Sequence, residues 1–476
     1  MNATPALLQR YSQVFPVGSA GFRFPEILKR RRKRHLDALD GFAIFSGVPR
    51  EPGAENIWHM NGLKIFQEPA LIHLCGINQP QIVLALVPGG KPQEILFVPE
   101  KDPKKEFWDG VRFGYPTGDN AEKSQDLQDL RRLTGIEDVR PLGEFGPWFR
   151  DLVKRSKQSF GYAFFHQYSD PNKGGRLKTT RGDHNFIFKQ GLERMARSVK
   201  ADFEICTCAP LHFQLRLPLE KEQVRDCELA VDITRSAFLD TLAVLPGFKN
   251  ENALAAHIEH GMKSRSPYGL SFPSIVAAGR NGTVLHYLKN DEPIPANSLV
   301  LIDFGARYGT MHADITRTVP VSGRYNSLQK LLYGIVLDAA KLHQKNVRPG
   351  ATIRKLNDAV WASIENSLQE KFLSKGGKME RAYSKNPHGV SHLMGEQEHD
   401  GDPHRIYQDQ PLQVGWQISN EPGLYGHFSM TLKGKRYSEW IGIRIEDDLL
   451  VTKAGCRNLS EPIPREPEEI EALIRG

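Results

Sequence analysis

Asp303 and Asp314 lie in the segment 298–316, where the apolar run Leu299–Ile302 and the pair Tyr308-Gly309 read as a β-hairpin. With the turn centred on Tyr308-Gly309, the two aspartates face each other across the ladder. Like charges so placed destabilise a strand pair unless a cation lies between them, and hard carboxylate oxygens suit a divalent ion. The alternative is two solvated aspartates, which Leu299–Ile302 weakens by marking the first strand as buried. Further along, Ile441, Ile443 and Ile445 alternate with Gly442, Arg444 and Glu446. A strand there sends the isoleucines to one face and Arg444 with Glu446 to the other, although an exposed antiparallel strand has the same pattern. Glu421 closes a strand-like run before Pro422-Gly423, a place where functional side chains are often presented. His388, His392 and His399 fall within twelve residues, among glycines, in a chain of 16 histidines. A lone histidine is more often structural, but this is a cluster.

These residues need elements to hold them. Apolar periodicity predicts helices over Glu220–Leu242, 251–265, 326–345 and 353–372, and strands over 298–304, 312–320, 415–421 and 438–451. Helices interleaved with antiparallel hairpins make an α+β domain. Towards the N-terminus, apolar runs at Phe42–Phe45, Ile82–Val87 and Glu94–Val98, with a helix near Ser124–Leu133, indicate a smaller α/β domain. The division falls at residues 1–205 and 206–476, the second domain's own elements beginning near Leu215. The polar, glycine-rich stretch 166–185 reads as an exposed loop.

Composition excludes several classes. With 476 residues, 39% hydrophobic and 25% charged, the chain is ordinary for a globular protein of more than one domain. A net charge of +7 is mild for this length and does not point to nucleic acid as a partner. The basic run Lys29–Arg34 reads as a solvated helix face instead of a nucleic-acid patch. Five scattered cysteines argue against a disulfide framework and for a reducing compartment, with Cys206 and Cys208 as buried thiols. No signal peptide and no apolar run of membrane-spanning length are apparent, so a cytoplasmic protein without membrane association is expected.

In order along the chain, Asp303, Asp314, the stretch His388–Gly395 (HGVSHLMG), Glu421–Tyr425 (EPGLY) and Gly442–Asp448 (GIRIEDD) resemble the pita-bread metallopeptidases. The resemblance covers about residues 215–476 and is nearest to the Xaa-Pro aminopeptidase and prolidase branch. It implies a C-terminal creatinase/aminopeptidase-like domain behind a smaller N-terminal α/β domain. It also implies two divalent metal ions and no other cofactor: Asp303 on one ion, His392 and Glu421 on the other, Asp314 and Glu446 bridging both. Manganese is favoured, with cobalt, iron or zinc as alternatives. Glu421 would also shuttle a proton, and His286, His388, His399, Arg444 and Tyr425 would surround the substrate, His399 holding the carbonyl oxygen. For Tyr425 simple packing is the competing role.

The implied substrates are peptides with proline in second position, and the implied activity is release of the residue before it. The short interval from His399 to Glu421 favours this over an Xaa-Pro dipeptidase. The complete ligand set counts against a non-catalytic binding protein or a metal-independent creatinase type. Phe107–Gly110 resembles a loop that reaches a neighbouring subunit in oligomeric relatives, which implies a homodimer or homotetramer. The chain departs from the family pattern in four places. Asn420 and Ser419 precede Glu421, residues 395–399 are unusually acidic, and the basic insert 426–439 is expected to edge the site.

Overall fold

The computed structural model describes residues 3–50, 64–118, 121–170, 176–179, 184–383, 386–402 and 405–476. Two compact units divide between Arg216 and Leu217.

In the first unit a six-stranded mixed sheet runs in the order Asp138–Pro141, Glu94–Val98, Val83–Leu86, Ala43–Ser46, Phe160–Ala163, Glu204–Thr207. Its central strands are short apolar runs because both faces are covered. Ala43 and Phe45 enter a core with Leu28, Leu74 and Leu130. Ile44, one step out of phase, enters a second core with Phe149 and Leu192. The basic run lies on the helix Phe24–Ala38, and the expectation of a uniformly solvated face fails there. Arg31 and Arg32 are buried and donate to the carbonyls of His73 and Leu74 at 3.2 and 2.8 Å. Those carbonyls end the helix Pro69–Cys75, whose last turn lacks intrahelical partners. The stretch expected as a loop contains a strand pair, Gln167–Asp170 with Arg176–Thr179, and from His184 the helix His184–Arg197. Its remaining residues, 171–175 and 180–183, lie outside the described ones. Cys208 is buried as expected, whereas Cys206 is only partly covered.

The second unit has four long helices: Lys221–Val244, Glu251–Lys263, Ser327–Asn346 and Ile353–Lys371. They pack on three antiparallel sheets around one core that includes Phe238, Ile302, Leu332, Trp361, Ile441, Ile443 and Ile445. The first sheet pairs Leu299–Phe304 with Ile315–Pro320 on one side and Ile275–Ala278 on the other. The second orders Leu393–Met394, Gln417–Asn420, Asp447–Thr452 and Gly455–Asn458. The third is the hairpin Gly423–Leu432/Lys435–Arg444, with Lys378–Arg381 on its edge. Lys433 and Gly434 both take positive φ (49° and 78°) at its tip, as a two-residue hairpin turn of the right twist requires. Nine strand steps, roughly 30 Å, separate this basic tip from Arg444. The 426–439 insert therefore extends the sheet away from Arg444 instead of edging the site.

Candidate metal centre

The hairpin carrying the two aspartates turns one residue later than expected. Arg307 pairs with His312 and Tyr308 with Met311, so the turn is Gly309-Thr310 and Asp303 stands opposite Thr316, not Asp314. Gly309 supplies the positive φ (57°) at the first turn position, where Tyr308 would be strained. Moving the centre of the turn by one residue shifts each partner by two. Side-chain faces are thus preserved, and the aspartates become diagonal neighbours. Gly305 lets the hairpin close beside them, since a Cβ there would lie 1.9 Å from the Ala313 carbonyl oxygen.

The other acidic residues sit where strands stop. The strands expected over 312–320 and 438–451 are each interrupted, at Ala313-Asp314 and at Ile445-Glu446, and Glu421 is the first residue beyond Gln417–Asn420. Backbone bonds lace the interruptions together: Glu446 N–H donates to Thr316 O (3.0 Å), Ser419 N–H to His392 O (3.0 Å) and Glu421 N–H to Val390 O (3.0 Å). The result is a cavity of about 240 Å³ lined by Asp303, Asp314, His392, Glu421 and Glu446, with His286, His388, His399 and Arg444 around them. The five expected ligands and four of the five residues expected around the substrate thus meet in one place, with Tyr425 hydrogen-bonded to His388. Buried Ile275, half-buried Phe272 and Leu285, and exposed Pro273 and Leu288 make an apolar wall.

The donor set fits a cation. Ligand atoms of Asp314, His392 and Glu446 lie within 4.8 Å of one another. His392 Nδ1 is 3.1 Å from the Leu393 carbonyl, so this nitrogen carries the proton and Nε2 is left with its lone pair. That lone pair is 3.5 Å from both Asp314 Oδ2 and Glu421 Oε1, beyond hydrogen-bond reach of two other acceptors. Asp303 Oδ1 is buried without a hydrogen-bond partner among the described residues. Buried acceptors turned towards one another are costly unless something positive joins them. Burial, with the neighbouring carboxylates, pushes Asp314 and Glu446 well above the usual carboxylate range and Glu421 up to about 7. Burial likewise holds His392 well below its ordinary value, neutral as a ligand must be.

Around this centre the polar groups are ordered. Arg444 Nη2 donates to Asp303 Oδ2 at 2.5 Å and its Nε to Thr316 Oγ1 at 3.0 Å, while Thr316 Oγ1 donates to Glu446 Oε2 at 2.7 Å. Burial brings His388 down to about 4. Its Nδ1 faces the Gly389 carbonyl at 2.8 Å, and its Nε2 accepts from the Tyr425 hydroxyl at 2.9 Å. Tyr425 is therefore wired into the site and does more than pack. The His399 ring lies over His392, centroids 4.0 Å apart. His286 stands at the exposed rim of the cavity.

The sequence did not single out several positioning residues. Arg317, fully buried, donates to the backbone carbonyls of Thr316 (3.0 Å) and Glu446 (2.6 Å) and pairs with Asp447 at 2.7 Å. Glu251, also fully buried, accepts from Ala278 N–H, Asn281, Tyr287 and Glu292 N–H, tying down the segment that carries His286. Trp361 and Asn357, from one helix, hold the His388 carbonyl and the Val390 N–H. Thr316 was legible as the residue two steps from Asp314 on the same strand face. For Arg317 no local signal exists, because its partner is 130 residues away. Of the two departures before Glu421, only Ser419 touches the site: it accepts from His392 N–H at 3.0 Å and donates to Glu421 Oε1 at 3.2 Å. Asn420 points the other way and donates to the Ala340 carbonyl, as strand alternation demands.

A two-unit chain whose second unit gathers acidic residues and histidine in this way is a metallohydrolase. Residues 225–453 match the profile of metallopeptidase family M24, and residues 28–160 match the aminopeptidase P N-terminal domain. The chain belongs to this metallopeptidase family, in the Xaa-Pro aminopeptidase branch, and has the α+β pita-bread fold. It is 27% identical to the mitochondrial intermediate cleaving peptidase 55 of Arabidopsis thaliana, over 96% of this chain and 84% of the relative. It is also 27% identical to an Xaa-Pro aminopeptidase of Haemophilus influenzae, over 86% of this chain and 88% of the relative. The solved proline aminopeptidase P II of Yersinia pestis shares the fold, with a TM-score of 0.75 at 24% identity, covering 95% of this chain and 99% of that one. Membership in this family makes the protein a metal-dependent hydrolase.

Proposed function

We propose that the protein is an aminopeptidase that releases the N-terminal residue from peptides with proline in second position, using two divalent ions. The observation that carries this reading is the convergence of Asp303, Asp314, His392, Glu421 and Glu446 on one cavity. Asp303 is assigned to one ion, His392 and Glu421 to the other, and Asp314 and Glu446 to both. Four carboxylates and a neutral imidazole balance two divalent charges, and the oxygen-rich set favours manganese, with cobalt, iron or zinc as alternatives. When bound, such ions lower the pKa of a shared water and polarise a carbonyl.

The chain's own groups supply the rest. Glu421, in the cavity with its Oε1 3.5 Å from His392 Nε2, is assigned to take a proton and pass it towards the leaving nitrogen. His399, half-exposed above His392, is placed to stabilise a developing oxyanion. His388 and Tyr425 with Arg444 keep the carboxylates in orientation, and His286 closes the rim over the substrate. The apolar wall of Phe272, Pro273 and Ile275 accepts a pyrrolidine ring, and the tertiary Xaa-Pro amide asks for no N–H acceptor there. Phe107 and Trp108 are 84% and 74% exposed, in keeping with a homodimer or homotetramer. None of the helices among the described residues is long and apolar enough to cross a membrane, and the cytoplasm is the compartment proposed. No nucleic-acid partner is proposed.

A peptide-length series tests the reading. Metal-loaded protein should cleave Xaa-Pro-Xaa tripeptides and longer peptides. Turnover of Xaa-Pro dipeptides alone would make the protein a dipeptidase, and cleavage of none of them would overturn the assignment.

A further inference from the structure

One carboxylate in the cavity has no part in the chemistry above. Glu398 lines the cavity with Asp303, Asp314, Glu421 and Glu446, yet it is not among the five proposed ligands. Its side chain is 31% exposed, against 5% for Asp314 and 3% for Glu446, so it is open to whatever enters. Glu396, two residues earlier, differs: it is buried and takes a 3.0 Å hydrogen bond from Gln223 Nε2. Among the described residues, no lysine or arginine nitrogen lies within 4.0 Å of the Glu398 carboxylate. The nearest ring nitrogen, His399 Nε2, is 3.6 Å away, beyond hydrogen-bond reach. Arg307 acts on Glu398 only from a longer distance, and Asp303 repels it. Arg444, which lines the cavity, is committed to Asp303, and Arg405 acts on His392, His399 and Glu421 but not on Glu398. An accessible acid without a close counter-charge, in a substrate cavity, gains from any cation that arrives with the substrate.

Position says which part of the substrate that is. Glu398 adjoins His399, the residue assigned to the carbonyl of the scissile bond, and that carbonyl belongs to the N-terminal residue. The apolar wall, with Phe272, Pro273 and Ile275, takes the proline instead. We propose that Glu398 is a specificity residue, pairing its carboxylate with a cationic side chain on the N-terminal residue of the peptide, such as lysine or arginine. The inference rests on the aminopeptidase reading.

The test compares Lys-Pro-Ala, norleucyl-Pro-Ala and Glu-Pro-Ala, since norleucine has the chain of lysine without the charge. For the metal-loaded wild type, kcat/KM for the lysyl peptide should exceed that for the norleucyl peptide about tenfold, equivalent to about 1.4 kcal/mol. The glutamyl peptide should be poorest, and added salt should narrow the spread. Glu398→Gln should bring the lysyl-to-norleucyl ratio to about one, and Glu398→Asp should restore part of it. Metal content, measured on each variant, should not change. A wild type without charge preference, a preference untouched by Glu398→Gln, or an equal loss on all three peptides with loss of metal would overturn the proposal. If none of the three peptides is cleaved, the aminopeptidase reading itself falls and takes this inference with it. That outcome is distinct from cleavage without preference.

Discussion

At the scale of single residues, the site is made by side chains that are individually costly. His392 Nε2, Asp314 Oδ2 and Glu421 Oε1 turn acceptors towards one another across 3.5 Å, and what holds them so is a set of short hydrogen bonds. Ser419 joins two of these residues through one hydroxyl. Removing such an outer contact to a ligand costs 10- to 100-fold in metal affinity or activity in comparable sites. Ser419→Ala should therefore weaken metal binding and lower kcat/KM within about that range, and Ser419→Thr should keep both near wild type. Metal titration alongside kinetics checks this; an alanine variant equal to wild type in both would show that the hydroxyl is dispensable. The types of the nine site residues were legible in the sequence. The outward turn of Asn420 was legible too, once strand alternation was applied from Glu421 backwards.

At the scale of elements, the recurring device is the interrupted strand. Asp314 and Glu446 each sit in a two-residue gap, where the chain leaves one ladder and joins another. Periodicity reads through such gaps, because alternation continues across them: Ile441, Ile443 and Ile445 are all core residues although the strand ends at Arg444. Beside the Ile445-Glu446 gap stands Arg317, which bonds the carbonyls of Glu446 and of Thr316 on the neighbouring strand and pairs with Asp447, each side chain almost wholly buried. Breaking a buried pair leaves an uncompensated charge, at a cost of about 3–5 kcal/mol. Arg465 also pairs with Asp447, so Arg317→Met should fall at the lower end, about 3 kcal/mol, and should loosen Glu446. Denaturant unfolding reads the first effect and metal content the second. Unchanged values of both would remove Arg317 from the support of the site. The hairpin teaches a related lesson. The Tyr308-Gly309 pair suggested the turn, but glycine is needed at the first central position, and that moves the register by two.

At the scale of the whole molecule, proton binding, metal binding and stability are linked. In metal-free protein, burial lifts Glu421 from 4.5 to about 7. Between those values the folded state holds more protons than the unfolded chain, so stability falls as pH rises through that window. Divalent ions need the ionised carboxylates and bind better as pH rises over the same range. The increase in Tm on adding Mn²⁺ to chelator-treated protein should thus be larger at pH 8 than at pH 5. Scanning calorimetry at both pH values decides it, and equal increments would deny the link between these carboxylates and the metal. The first unit raises a separate question of burial. Lys29–Arg34 looks like a solvated stripe in sequence, yet Arg31 and Arg32 cap carbonyls at the end of a neighbouring helix.

The sequence by itself determined the residue types that do the chemistry, the order in which they occur and the two periodicities that build the elements. Those are local properties, written in spacing along the chain. Register, depth and partnership were decided only by the tertiary structure: which residue faces Asp303, whether an arginine is solvated or buried, which of Ser419 and Asn420 touches Glu421, and that Glu398 opens onto the same cavity as the proposed ligands. Each of these depends on groups far apart in sequence being held within a few ångströms, where burial makes the choice of partner a matter of several kcal/mol.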